Sequence, residues 1–245
     1  MLNQSEQDQI WKHFQNEGRE TFDLSLTRLR FLAERCLPGT KVLNIGVGAG
    51  ELEKLLVARG VEVYSLDPCA ESIERLQSEL KIGKEQAKQG YSQSIPFDAG
   101  YFDKVIMTEV LEHLPQDVYQ VTLDEVRRVL KRDGKFTGTV PYQEKLQASE
   151  VVCPHCQAQF HRWGHCQAFD AMSLGNSFKQ HGFRVDRMYP RCFSDFRRAG
   201  LKNFLRAIFR HVLGLMGEQL VGPNLYFVAS PNEHVDLNNS KDKEK

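Results

Sequence analysis

The sequence predicts a doubly wound α/β domain with a mainly parallel sheet, and three observations carry that expectation. Short apolar runs of β character alternate with longer helical runs. A glycine-rich turn, Gly46-Val47-Gly48-Ala49-Gly50, joins the first strand of this series to its first helix. An acid, Asp67, closes the next strand. Parallel strands need right-handed crossovers, so helices cover both faces and a ligand crevice opens beyond the strand C-termini.

The elements follow in order. Ile10, Trp11, Phe14, Phe22, Leu24, Leu26, Leu29, Phe31 and Leu32 fall at mostly helical spacings, so residues 1–40 read as a helical segment that Pro38-Gly39 ends. From Lys41 the period changes: KVLNIGV reads as a strand, ELEKLLVARG as a helix, VEVYSLD as a strand and AESIERLQSELK as a helix. YFDKVIMTE (strand), DVYQVTLDEVRRVLKR (helix) and GKFTGTVP (strand) come next. An irregular Cys/His-rich stretch, 143–169, interrupts the rhythm. A helix from Asp170 to His181, the strand FRVDRMYP, a basic helical stretch from Phe196 to Met216 and the strand NLYFVAS complete it. The main domain therefore spans 41–231 with an insertion at 143–169, and the polar tail 232–245 is expected to be disordered.

Composition narrows the function classes. Lys plus Arg equals Asp plus Glu at 32 each, which argues against a polyanionic partner such as nucleic acid. The opening MLNQSEQDQI lacks a basic n-region and an apolar run, and no stretch is apolar enough to span a bilayer. Half of the six cysteines fall between Cys153 and Cys166, unlike the spread of a disulfide scaffold. A reducing cytoplasm with metal-binding thiols is the expectation.

Glycine suits the first turn because the backbone is tight there and a ligand must approach without a Cβ in the way. An acid at Asp67 can accept hydrogen bonds from both ribose hydroxyls of an adenosine-containing cofactor. A dinucleotide site would want G-x-G-x-x-G, and here the third glycine comes one residue early.

From Gly90 to Pro115 the run GYSQSIPFDAGYFDKVIMTEVLEHLP resembles the fourth-strand region of class I S-adenosylmethionine (SAM)-dependent methyltransferases, and the likeness covers about Val42 to Pro141. The resemblance implies a Rossmann-like fold with a seven-stranded sheet and SAM as cofactor. It places Asn44, Gly46, Gly48, Gly50 and Asp67 around the cofactor, with Tyr91 and Ser92 at the adenine and Thr108 and Glu109 beside the methionine part. Two positions depart from the family: Asn44 stands where an acid is usual, and Tyr91 where an acid often binds the adenine amino group.

The sulfonium of SAM is already activated, so the protein mainly aligns the acceptor for in-line displacement. His113, just past the fourth strand, is the candidate general base if the acceptor is a hydroxyl; the bland alternative is that Glu112 and His113 only cap the next helix. In small-RNA and ubiquinone-pathway O-methyltransferases a similar E-x-x-E-H run holds a divalent cation, a role open here to Glu109, Glu112 and His113. The sequence assigns no position to the second histidine of that scheme.

In the insertion, Cys153-Pro-His-Cys156 with His161 and His165 has thiolate–imidazole spacing suited to structural zinc. Cys166 competes with His165 as fourth ligand, giving the spacing of a zinc knuckle. In the basic stretch, Leu201, Phe204, Leu205, Ile208, Phe209, Val212 and Met216 form an apolar stripe beside Arg198, Lys202, Arg206 and Arg210. It reads as a packed helix with a solvated cationic edge, or as a peripheral membrane contact through 196–216. The expected function is methyl transfer from SAM to a small-molecule or glycan acceptor, at oxygen. The rivals are an RNA methyltransferase that holds substrate with the zinc element and a non-catalytic SAM- or zinc-binding module.

Overall fold

The computed structural model describes residues 26–194, 201–216 and 222–232. The helical expectation for 1–25, the residue Arg198 and most of the polar tail lie outside them. Within them the chain runs α1 (Leu26–Ala33), β1 (Lys41–Ile45), α2 (Glu51–Val57), β2 (Glu62–Asp67), α3 (Ala70–Leu80), β3 (Ala87–Gln89) and β4 (Phe102–Thr108). A short 3-10 turn, Leu111–His113, leads into α4 (Gln116–Val129) and the long strand β5 (Leu130–Pro141). The strands β6 (Glu150–Val152) and β7 (Gln159–His161) form a separate hairpin. The helix α5 (Ala171–Gln180), β8 (Phe183–Arg191), α6 (Leu201–Leu215) and β9 (Asn224–Pro231) finish the chain.

The seven-stranded sheet has the order β3-β2-β1-β4-β5-β9-β8. Its pairs are parallel from β3 to β5, and β9 runs antiparallel between β5 and β8. Side chains alternate across a strand, so a sheet covered on both faces needs apolar residues at every position. Leu43, Ile45, Val105 and Met107 point into one core with Tyr119, Leu123, Val126, Leu174 and Phe178 of α4 and α5. Val42, Val63 and Ile106 point into the other, with Phe31, Leu32, Leu52, Leu56, Ile73 and Leu76 of α1, α2 and α3.

Several elements differ from the sequence reading, among them the β6–β7 hairpin, which forms within the stretch read as irregular. β3 is only three residues long, too short for a period to register. The helix read through Arg132 ends at Val129, because Leu130 already pairs with Phe102 in the sheet. The basic helix is described from Leu201 and packs with Gly214 hard against Cys192, leaving Leu205, Ile208, Phe209 and Val212 exposed.

Chain order reverses between β1 and β4, and ligands bind beyond strand C-termini at such a switch point. Gly46, Asp67, Glu109 and Tyr142 all follow or end strands at this edge. The segment after β5 leaves and rejoins the domain at one place: Tyr142 bridges Phe169, and Gln143 N–H donates to the Phe169 carbonyl at 2.7 Å.

Candidate functional site

The glycine turn is built by backbone conformation. Gly46, Gly48 and Gly50 all have positive φ (90°, 56° and 79°), which an L side chain rarely adopts. A Cβ on Gly46 would also come within 2.7 Å of Val110 Cγ2, so the turn lies flat against the end of β4. Arg75 of α3 braces it by donating to the Gly48 carbonyl at 2.7 Å. Nothing in the sequence pattern singles out that contact.

Asp67 is buried and tied to this turn: Oδ2 accepts from Val47 N–H at 2.7 Å and Oδ1 from Cys69 N–H at 2.8 Å. The carboxylate thus fixes the turn after β1 relative to the end of β2. Asn44 is buried too. Its amide donates to Glu53 Oε1 at 2.7 Å and to the Gly46 carbonyl at 3.2 Å, while Ser65 donates to the same Glu53 oxygen at 3.2 Å. A buried carboxylate from α2 therefore stands against the Asn44 amide. Burial pushes the Glu53 carboxyl up to about 7, against hydrogen bonds that pull it down.

Of the expected adenine-side residues, Tyr91 is exposed and Ser92 is buried, its hydroxyl 2.8 Å from that of Thr122. Thr108 and Glu109 join one chain. The Thr139 hydroxyl donates to Glu109 Oε1 at 2.8 Å, so the Thr108 hydroxyl, 2.7 Å away, donates to Thr139. Glu109 Oε2 accepts from Asn224 at 2.9 Å and lies 3.5 Å from Arg28. Its carboxylate is thus turned to β5, β9 and α1.

The 3-10 turn after β4 buries Glu112 and His113. Neither carboxylate oxygen of Glu112 has a hydrogen-bond partner, and its Oε1 lies 3.9 Å from His113 Nε2. A buried, unpaired carboxylate is costly; burial and the nearby Glu109 hold it well above the usual carboxylate range. His113 Nδ1–H donates to the Gly164 carbonyl at 3.3 Å, which leaves Nε2 as the acceptor nitrogen. Burial, then His165, pushes its pKa well down, so the ring is neutral.

His165 from the inserted segment completes the group. Its ring meets His113 edge to face with centroids 4.5 Å apart. Ligand atoms of Glu112, His113 and His165 all lie within 4.8 Å of one another, as do those of Glu144, His161 and His165. These are the metal-capable groups of three or more found among the described residues. The sequence assigned no partner to His113, because the one it has comes from a segment distant along the chain.

The zinc set expected at Cys153, Cys156, His161 and His165 is not drawn together. In the hairpin His161 pairs with Glu150, whereas Cys153 lies beyond the other end of the ladder and donates its N–H to Ala158. At roughly 3.4 Å per residue the thiols are about 10 Å along the strands from His161. Cys153 and Cys156 share a turn at the tip, where backbone N–H groups of Cys156 and His155 lower the Cys153 thiol. Cys166 lies elsewhere, its N–H donating to the Glu112 carbonyl at 2.7 Å.

Comparison with known proteins agrees with this architecture. A methyltransferase-domain family model matches residues 17–187. A ubiquinone biosynthesis O-methyltransferase of Pseudomonas aeruginosa is 31% identical over 150 residues, covering 58% of this chain and 62% of that protein. One from Hahella chejuensis is 30% identical over 109 residues, 43% of this chain and 46% of its own length. The chain thus spans under two thirds of these relatives. Among solved structures, a chain of the complex between the Haloferax volcanii Trm112 methyltransferase activator and a methyltransferase superposes with TM-score 0.66. It is 19% identical, with 91% of this chain and 97% of that chain covered. The 1,6-didemethyltoxoflavin-N1-methyltransferase of Burkholderia thailandensis, solved with S-adenosylhomocysteine (SAH), gives TM-score 0.63 at 17% identity, covering 95% and 92%.

Proposed function

The chain belongs to the class I SAM-dependent methyltransferase family, and we propose that it methylates an oxygen of a small-molecule acceptor beside a divalent cation held by Glu112, His113 and His165. The observation that carries the cation is Glu112, a buried carboxylate with both oxygens lacking hydrogen-bond partners beside two imidazoles. One carboxylate and two imidazoles suit manganese, iron or zinc better than magnesium, which prefers an all-oxygen shell.

When bound, SAM supplies a methyl group on a positive sulfur, and the cation supplies a Lewis acid that holds and acidifies a hydroxyl. The chain's own residues do the rest. The turn at Gly46–Gly50 and the acid Asp67 receive the nucleoside, as the family resemblance implies. Thr108, Thr139 and Asn224 hold Glu109 at the end of β4, which keeps its charge at the crevice edge. Gly164 orients the His113 ring through Nδ1, so its Nε2 carries the lone pair that would ligate the cation. In-line transfer then depends on alignment more than on proton movement.

Methylation at oxygen draws support from the two ubiquinone-pathway relatives and from this donor set. The test is titration with SAH and with Mn(II), followed by transfer of labelled methyl from SAM to a panel of phenols and other hydroxyl compounds. Saturable binding of both and label in an ether product are expected. Failure to bind SAH overturns the whole reading; SAH binding without Mn(II) binding overturns the cation.

A further inference from the structure

Glu144 stands two residues before the insertion's 3-10 turn (Leu146–Ser149), and its two oxygens face two different imidazoles. Oε2 accepts the Nδ1–H of His165, and Oε1 lies 3.5 Å from His161 Nε2. The rings of His161 and His165 stack with centroids 4.5 Å apart and planes 21° from parallel. His161 is itself fixed: its Nδ1 accepts the main-chain N–H of His165 at 3.1 Å and, more weakly, that of Trp163 at 3.4 Å.

These bonds set opposite tautomers in the two rings. An imidazole that accepts at Nδ1 carries its proton at Nε2, so His161 has a buried N–H there that makes no hydrogen bond and lies 3.5 Å from Glu144 Oε1. An imidazole that donates at Nδ1 keeps a lone pair at Nε2, so that nitrogen of His165 can ligate. Ligating histidines are commonly oriented by a carboxylate on the second ring nitrogen, which also raises their basicity.

We propose that Glu144 is a positioning residue: it holds His165 in the Nδ1–H tautomer, with its other nitrogen available to the cation shared with Glu112 and His113, while the stacked His161 ring packs beside His165. On this view the inserted segment delivers one ligand and its orienting carboxylate together, from the two limbs that flank the hairpin. The inference rests on the cation site proposed above.

The test uses the full-length chain and Mn(II), read by electron paramagnetic resonance, with SAH titration reporting that each variant is folded. Glu144→Ala is expected to weaken Mn(II) about 10–100-fold, the usual cost of losing such a partner. Glu144→Gln keeps an accepting oxygen and is expected to recover most of that affinity, which a direct ligand role would not allow. An independent measurement needs no variant: nitrogen-15 histidine spectra of the metal-free protein should show His165 protonated at Nδ1. Failure of the wild type to bind Mn(II) removes the cation reading itself. With wild-type binding intact, an undiminished Glu144→Ala, a Glu144→Gln as weak as Ala, or an Nε2–H tautomer at His165 overturns the role of Glu144 alone.

Discussion

The main-chain N–H of Cys166 donates to the carbonyl oxygen of Glu112 at 2.7 Å, and Gln167 N–H shares that acceptor at 3.1 Å. The Gln167 side chain adds a bond to the Leu114 carbonyl at 2.6 Å. The returning limb of the insertion is thereby stitched to the turn that carries Glu112 and His113. It is this stitch, rather than metal ligation at the hairpin tip, that brings His165 to His113.

Removing His165 should therefore disable the cation site without touching the nucleoside site. His165→Ala is expected to lose measurable Mn(II) binding while SAH affinity holds, both read by calorimetric titration. His113→Ala should do the same and, by removing a ligand, abolish turnover that depends on the cation; were His113 a free base instead, turnover would fall about 10²–10⁴-fold with no dependence on the metal. Turnover insensitive to EDTA yet lost in His113→Ala would make His113 a base and not a ligand.

Asp67→Asn replaces one accepting oxygen by an N–H₂ that must face Val47 N–H or Cys69 N–H. Leaving a buried donor unpaired costs about 1–3 kcal/mol. Urea unfolding should report that loss, and SAH affinity should fall roughly tenfold or more if the carboxylate also meets the ribose. A stable variant with unchanged SAH affinity would place the nucleoside elsewhere.

Gly46→Ala combines two penalties, a side chain at φ 90° and a Cβ 2.7 Å from Val110 Cγ2. Each strained feature of this kind costs on the order of 1–3 kcal/mol. In a Val110→Ala background the steric part should vanish and the backbone part remain, so Gly46→Ala should cost less there. Equal costs in both backgrounds would show that Val110 is not the neighbour that matters.

Glu53 predicts a dependence of stability on pH. Its folded value of about 7 is raised from 4.5, so the folded state holds this proton more tightly than the unfolded chain. Below pH 4.5 both states are protonated and the contribution is full. Between pH 4.5 and about 7 the unfolded state ionises first and stability falls, by on the order of 3 kcal/mol in all. Glu53→Gln preserves the oxygen that Asn44 and Ser65 donate to, so it should flatten this slope and gain on the wild type as pH rises to 7. Unfolding midpoints at pH 5, 6, 7 and 8 check it; parallel curves for the two proteins would refute it.

Much of this protein was legible in its residues taken in order. Short continuous apolar runs, the turn at Gly46–Gly50 and the acid at Asp67 declared the parallel sheet and its crevice, because each depends on contacts within one βαβ unit. What needed the folded chain was every pairing between distant segments. Spacing placed His161 and His165 with Cys153 and Cys156, but the antiparallel register of β6 and β7 puts the thiols at the tip and His161 at the base. The E-x-x-E-H run suggested Glu109 as a partner of Glu112, but Thr139 and Asn224 draw that carboxylate aside and His165 stands near Glu112 in its stead. Sequence records which donors exist and how far apart they lie along the backbone. Which of them share a cation is decided by hydrogen bonds between strand ends, and those form only when the sheet brings the ends together.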